Sequence, residues 1–231
     1  MLVNNIDIST FKATYLSKDI QTAEITIYDD WLRNALNPLY LSKQEKYKKI
    51  KTQLLIKDTD DESCLTNISN LVKQFEKCTI KFDGISFYYD CLIVNKSHKR
   101  LAQGRWYTLD VELKSGYAYK TAVTETLDHV ASKAITVSGN LLTPAIVTVT
   151  APINTSTLTL TGFADSITVN NLLANIPRII DGEVGTVMQS GVNKFGETDF
   201  WSFPVLQPGV NTITTSNSNC VITIAYKPRF I

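Results

Sequence analysis

Only two histidines are present, His98 and His129. His98 sits in the basic run Lys96-Ser97-His98-Lys99-Arg100, and His129 follows Asp128. Neither has cysteines and carboxylates placed around it at metal-ligand spacing, so both read as surface histidines. The acidic run Asp58-Thr59-Asp60-Asp61-Glu62 invites a calcium reading. A helix–loop–helix calcium site needs a glycine after its early acids and a distant glutamate ligand, and neither follows. The run reads instead as a helix start. Glu183, Glu197 and Asp199 supply carboxylates of the kind glycosidases pair, but nothing sets their separation, and loop solvation accounts for them. No GxSxG, phosphate-binding or dinucleotide fingerprint is present. The expectation is no catalytic residue, no metal and no cofactor.

Two further groups suit binding rather than reaction. Lys43, Lys46, Lys48, Lys49 and Lys51 crowd around a single acid, Glu45, while Lys96, Lys99, Arg100 and Arg105 form a second basic stretch. Each is either a solvated run of long side chains or a contact surface for another subunit or for nucleic acid. The net charge of +1 argues against tight nucleic-acid binding by the chain as a whole. Trp201, beside Phe200, could stack on a sugar ring. Strand alternation turns one of the two inward, and burial of Trp201 in a core is the favoured expectation.

The elements that position these residues fall into two compositional regions. Residues 1–120 hold 18 Lys+Arg and 15 Asp+Glu; residues 121–231 hold 5 and 7 and are rich in Thr, Val, Asn and Ile. The shift predicts domains at 1–120 and 134–231 with a connector over 121–133. The first reads as α+β. It has early strands at Phe11–Leu16 and Ala23–Tyr28, an irregular Asp29–Leu41 and a strand over Ile50–Lys57. A helix over Asp58–Lys77 follows, with Leu65, Ile68, Leu71, Val72 and Phe75 on one face. A hairpin turns at Asp83-Gly84, a polar loop covers Asn95–Gly104, and a strand runs over Arg105–Leu113. From Ala134 onward short strands broken by Gly, Pro, Asn and Asp predict an antiparallel sandwich. The four cysteines, Cys64, Cys78, Cys91 and Cys220, form no CxxC pair and read as free, mostly buried thiols of a protein made in a reducing cytoplasm. No apolar run approaches the ~20 residues of a membrane helix, so no membrane insertion is expected.

Certain segments are distinctive in combination. They are Asp30-Trp31-Leu32 with Pro38, the helix, and Gly116-Tyr117 in the first region. In the second they are Ile180-Asp181-Gly182, the run Phe203-Pro204-Val205-Leu206-Gln207-Pro208-Gly209-Val210-Asn211, and the closing Tyr226-Lys227-Pro228-Arg229. With this order of elements the chain resembles the distal tail protein (Dit) family of long, non-contractile-tailed bacteriophages. The resemblance implies a mainly β, α+β protein: a β-sandwich-like ring domain with one helix and a hairpin, then a galectin-like antiparallel β-sandwich. It further implies a non-enzymatic virion protein at the tail tip, synthesised in the host cytoplasm. Such a protein forms a homo-hexameric ring, and whether rings stack is left open. Its implied partners are the tail tube protein, the tail-tip hub and receptor-binding components, with DNA only as passing cargo. The alternative is a carbohydrate-binding module acting through the C-terminal sandwich.

Overall fold

The computed structural model describes residues 1–101 and 105–231. The chain divides into two compact units, Met1–Ala118 with Ile231, and Tyr119–Phe230.

The first unit contains β1 (Leu2–Val3), β2 (Ile6–Asp7), β3 (Ala13–Ile20), β4 (Ile25–Asp30), β5 (Leu39–Glu45), β6 (Lys48–Lys57), helix α1 (Asp61–Phe75), β7 (Lys77–Lys81), β8 (Tyr88–Arg100) and β9 (Trp106–Tyr119). One sheet runs in the order β2-β1-β7-β8-β9-β6-β3. Alternation explains its two faces. Along β6, Ile50, Thr52, Leu54 and Ile56 are buried, while Lys49, Lys51, Gln53 and Lys57 turn to the wet face. The antiparallel register with β9 sets Ile50 opposite Leu113 and Leu54 opposite Leu109, continuing the buried face. α1 packs against β6, β7 and β8.

α1 starts where the acids predict. The Asp60 carboxylate accepts from the Ser63 backbone N–H at 2.7 Å, capping the first turn. Its buried stripe is Cys64, Ile68, Leu71, Val72 and Phe75. Leu65, expected on that face, is 44% exposed. The arc through Cys64, Ile68, Leu71 and Phe75 sits deepest, and Leu65 lies on its margin.

Asn95–Arg100, expected as loop, belongs to β8; the last part of that predicted loop, residues 102–104, lies outside the described residues. β6 begins at Lys48 rather than Ile50. The irregular stretch after Asp30 leads into a strand, β5, which pairs with β4 as a two-stranded sheet of its own.

The second unit is a two-sheet sandwich. Its strands are β10 (Val123–Leu127), β11 (Ser132–Val137), β12 (Thr143–Thr150), β13 (Thr155–Thr161), β14 (Ile167–Leu172), β15 (Arg178–Asp181), β16 (Thr186–Gln189), β17 (Val192–Asn193), β18 (Thr198–Asp199), β19 (Val205–Leu206), β20 (Gly209–Thr215) and β21 (Val221–Tyr226). One sheet is ordered β10-β21-β12-β15-β16-β17, with β19 on β12; the other is ordered β11-β20-β13-β14-β18. Inward residues of both, including Val147, Val149, Leu158, Leu160, Ile213, Ile222 and Ile224, form one core. The stretch expected to connect the domains is built into this unit: β10 pairs with β21 over Val123–Leu127, and β11 begins at Ser132.

Candidate functional site

The β4–β5 hairpin departs from the rule that apolar side chains are covered. Ile25, Ile27 and Tyr28 on β4 are exposed, as are Leu39, Tyr40 and Leu41 on β5. The connecting segment adds Trp31 and Leu32, each 60% exposed, and Leu36 at 94%. Local bonds hold the hairpin. The Tyr28 hydroxyl donates to Gln44 Oε1 at 3.2 Å, and Lys43 pairs with Glu45 at 2.7 Å. A lone two-stranded hairpin is marginal in water. One that presents this much apolar surface marks a place where another molecule binds. From sequence, Asp29–Leu41 reads as irregular. The missed signal is Leu39-Tyr40-Leu41, a strand segment apolar on both faces.

The basic cluster does not act as one surface. Lys43 lies on the hairpin and is engaged by Glu45, whose carboxylate raises the lysine's pKa through a hydrogen bond and charge attraction. Lys46 is exposed beyond β5. Lys48 falls on the covered face of β6, where burial lowers its pKa. Lys49 and Lys51 share the wet face: Lys49 reaches Glu24 at 3.4 Å, and Lys51 stands opposite Glu112. That face carries a groove of about 320 Å³ lined by Asp19, Lys51, Gln53, Asp110 and Glu112 among others, with charges of both signs. The second basic stretch is also divided. Lys96 and Lys99 are exposed along β8. Arg100 pairs with Asp61 at 2.8 Å, and the Arg105 guanidinium donates to the Thr59 carbonyl, so both arginines fasten to the start of α1.

A second groove, of about 490 Å³, runs between α1 and β8. Leu65, Ile68, Val72 and Leu109 give it apolar walls, and Lys73, Glu76, Lys96 and His98 are its ionisable lining residues. Among the described residues no cluster of three or more His, Cys, Asp and Glu is arranged to hold a metal, and no helix is long and apolar enough to cross a membrane.

In the second unit Trp201 is 98% exposed, against the favoured expectation of burial. Its neighbours are the covered ones: Phe200 and Phe203, each half-buried, pack against the core, 5.0 Å apart edge to face, with Phe195 beside both. Glu197, one of the carboxylates weighed for catalysis, is occupied structurally. It accepts from Lys194 at 2.5 Å and from the fully buried Arg178 at 2.7 Å. These two cations, Lys194 first, lower its pKa. Arg178 also donates twice to Gln189 Oε1. No local motif announces this network, because Arg178 meets Gln189 and Glu197 only through the pairing of short strands and the turn that follows.

The distinctive motif residues prove to be fold devices. Asn211 closes the Pro208-Gly209 turn: its Oδ1 accepts from the Gln207 N–H at 2.9 Å and its Nδ2 donates to the Gln207 carbonyl at 2.8 Å. Gly209 has φ +91°, in the left-handed region. At Gly182 a Cβ would lie 2.4 Å from the Pro204 carbonyl oxygen, so the two motifs meet backbone to backbone. Arg229 pairs with Glu183 at 2.7 Å.

Residues 138–230 match the family described as the siphovirus-type tail component, C-terminal domain. No curated protein matches the sequence. Among solved structures, the SPP1 Dit (gp 19.1) protein, described as a paradigm of the hub adsorption apparatus in phages infecting Gram-positive bacteria, superposes with a TM-score of 0.77. It is 10% identical, over 100% of this chain and 98% of that one. Chains of the phage P2 baseplate in its activated conformation, with Ca and with Sr, each superpose with a TM-score of 0.54 at 11% identity, over 95% of this chain and 92% of theirs. At such identities the structural likeness establishes the fold.

Proposed function

We propose that this chain, whose residues 138–230 belong to the siphovirus-type tail component family and whose full length has the fold of a distal tail protein, is the structural hub at the tip of a siphophage tail. In this reading the first unit assembles into a hexameric ring that continues the tail tube and leaves a central opening for DNA. The second unit carries tail-tip and adsorption components. The work is geometric, with no reaction. The observation that carries the reading is the β4–β5 hairpin, an apolar arm that a free monomer has no use for. The mixed charge of the wet sheet face supports passage of DNA rather than its retention, since tight binding needs many uncompensated Lys/Arg–phosphate contacts. Light scattering on size-exclusion peaks tests the reading. A hexamer, or a concentration-dependent rise toward one, is expected, and a monomer at every concentration contradicts it.

The exposure of Trp201 favours a second reading, in which the C-terminal sandwich binds a glycan by ring stacking. Glycan binding that is lost in Trp201→Ala with the fold intact would establish it, and an unchanged array profile would dismiss it.

A further inference from the structure

A closed ring of more than two identical subunits needs two different surfaces that fit each other. A surface that pairs with itself stops at a dimer. The first unit offers two surfaces that differ in shape and in sign of charge. One is convex: the hairpin tip, where Trp31, Leu32 and Leu36 are exposed and Asp29 and Asp30 outnumber Arg33. The other is concave: the groove between α1 and β8, with Leu65 open to solvent on its wall and Lys73 and Lys96 outnumbering Glu76. The tip has apolar knobs with an acidic excess, and the groove has apolar walls with a basic excess. Tip against tip would set Asp29 and Asp30 against their own copies, which disfavours self-pairing.

We infer that the β4–β5 tip of one copy seats in the α1–β8 groove of the next. The occupant of the groove is thus a second copy of this chain. The inference rests on the ring reading and deepens it by assigning a donor surface and an acceptor surface. It also accounts for the position of Leu65. A leucine on the margin of the helix's buried stripe, left 44% exposed in one chain, becomes interior once a neighbour's tip covers it.

The test is a disulfide ladder in the full-length chain. All four native cysteines are free and buried, so introduced thiols react over a low background. Leu36→Cys combined with Leu65→Cys, oxidised mildly after assembly has been verified by light scattering, is expected to give a denaturing-gel ladder rising to the closed ring. Reducing agent collapses it. Either single variant gives dimers at most. If the double variant assembles but stays monomeric on the gel, or links within one chain, the groove assignment is overturned while the ring stands. If the wild-type chain does not assemble, the ring reading fails first. A charge swap gives an independent readout. Asp29→Lys and Lys73→Glu should each weaken assembly about tenfold, and together restore it. A double variant no better than the worse single one contradicts the pairing.

Discussion

Removing the apolar character of the hairpin tip separates assembly from folding. In the triple variant Trp31→Ser, Leu32→Ser, Leu36→Ser, every altered side chain is already solvated in the free chain: 60%, 60% and 94% exposed. The two-fifths of Trp31 and Leu32 covered in the free chain should limit the loss of unfolding stability to about 1–2.5 kcal/mol. Full burial of a leucine-sized side chain is worth about 1.5–3 kcal/mol. Leu36 has nearly all of that still to gain, and Trp31 and Leu32 somewhat over half. Their joint contribution to one subunit contact is thus about 3–6 kcal/mol before ordering costs, which reduce the net gain. Taking the lower value, each contact weakens roughly a hundredfold, and a ring held by several such contacts should dissociate at concentrations where wild type is assembled. Light scattering reads the mass, and thermal unfolding reads the stability. A variant that assembles like wild type refutes the role of the tip. A variant that loses far more stability than this refutes the claim that these residues serve chiefly at the contact.

Asn211→Ala removes the side chain that satisfies both polar groups of Gln207, and should cost about 1–3 kcal/mol in chemical denaturation; an unchanged midpoint would mean solvent replaces it freely. Gly182→Ala places a methyl against the Pro204 and Ala145 carbonyls, and should cost about 1–3 kcal/mol, where a neutral result would show that this crossing has slack. Glu197 has its pKa lowered from 4.5 by Lys194 and Arg178, so its stabilising contribution is present above that value and lost as pH falls through the lowered one. Glu197→Gln should be less stable than wild type near neutrality and lose less on acidification, as read by melting temperature against pH; parallel curves would contradict this. Alkylation of the native protein should leave Cys64, Cys78, Cys91 and Cys220 unmodified until denaturant is added, because all four are buried and burial raises the pKa of Cys64 and Cys220, while a hydrogen bond with Cys78 chiefly raises that of Cys91. Rapid modification in buffer would show otherwise.

Much of this fold was legible because its signals are local. The acids before α1 announce a cap, and Asp60 provides it. The Pro208-Gly209 turn and the β-branched run Val221–Tyr226 announce strands, and β20 and β21 follow. The interaction surface was less legible, because strand phase decides it. β6 starts two residues earlier than expected, so Lys48 joins the strand in phase with the inward Ile50, while Lys49 and Lys51 lie on the wet face. Trp201 and Phe200 could not be told apart by type, and only the packing of Phe200 against the core beside Phe203 shows which of the two is covered. The groove beside α1 depends on β8 continuing to Arg100, where composition suggested a polar loop.

Electron microscopy of the purified full-length chain tests the central claim most directly. The account predicts closed rings of six copies with an open centre, and their loss in the triple hairpin-tip variant. Dispersed monomers in the wild type at every concentration, or rings that persist unchanged in that variant, would contradict it.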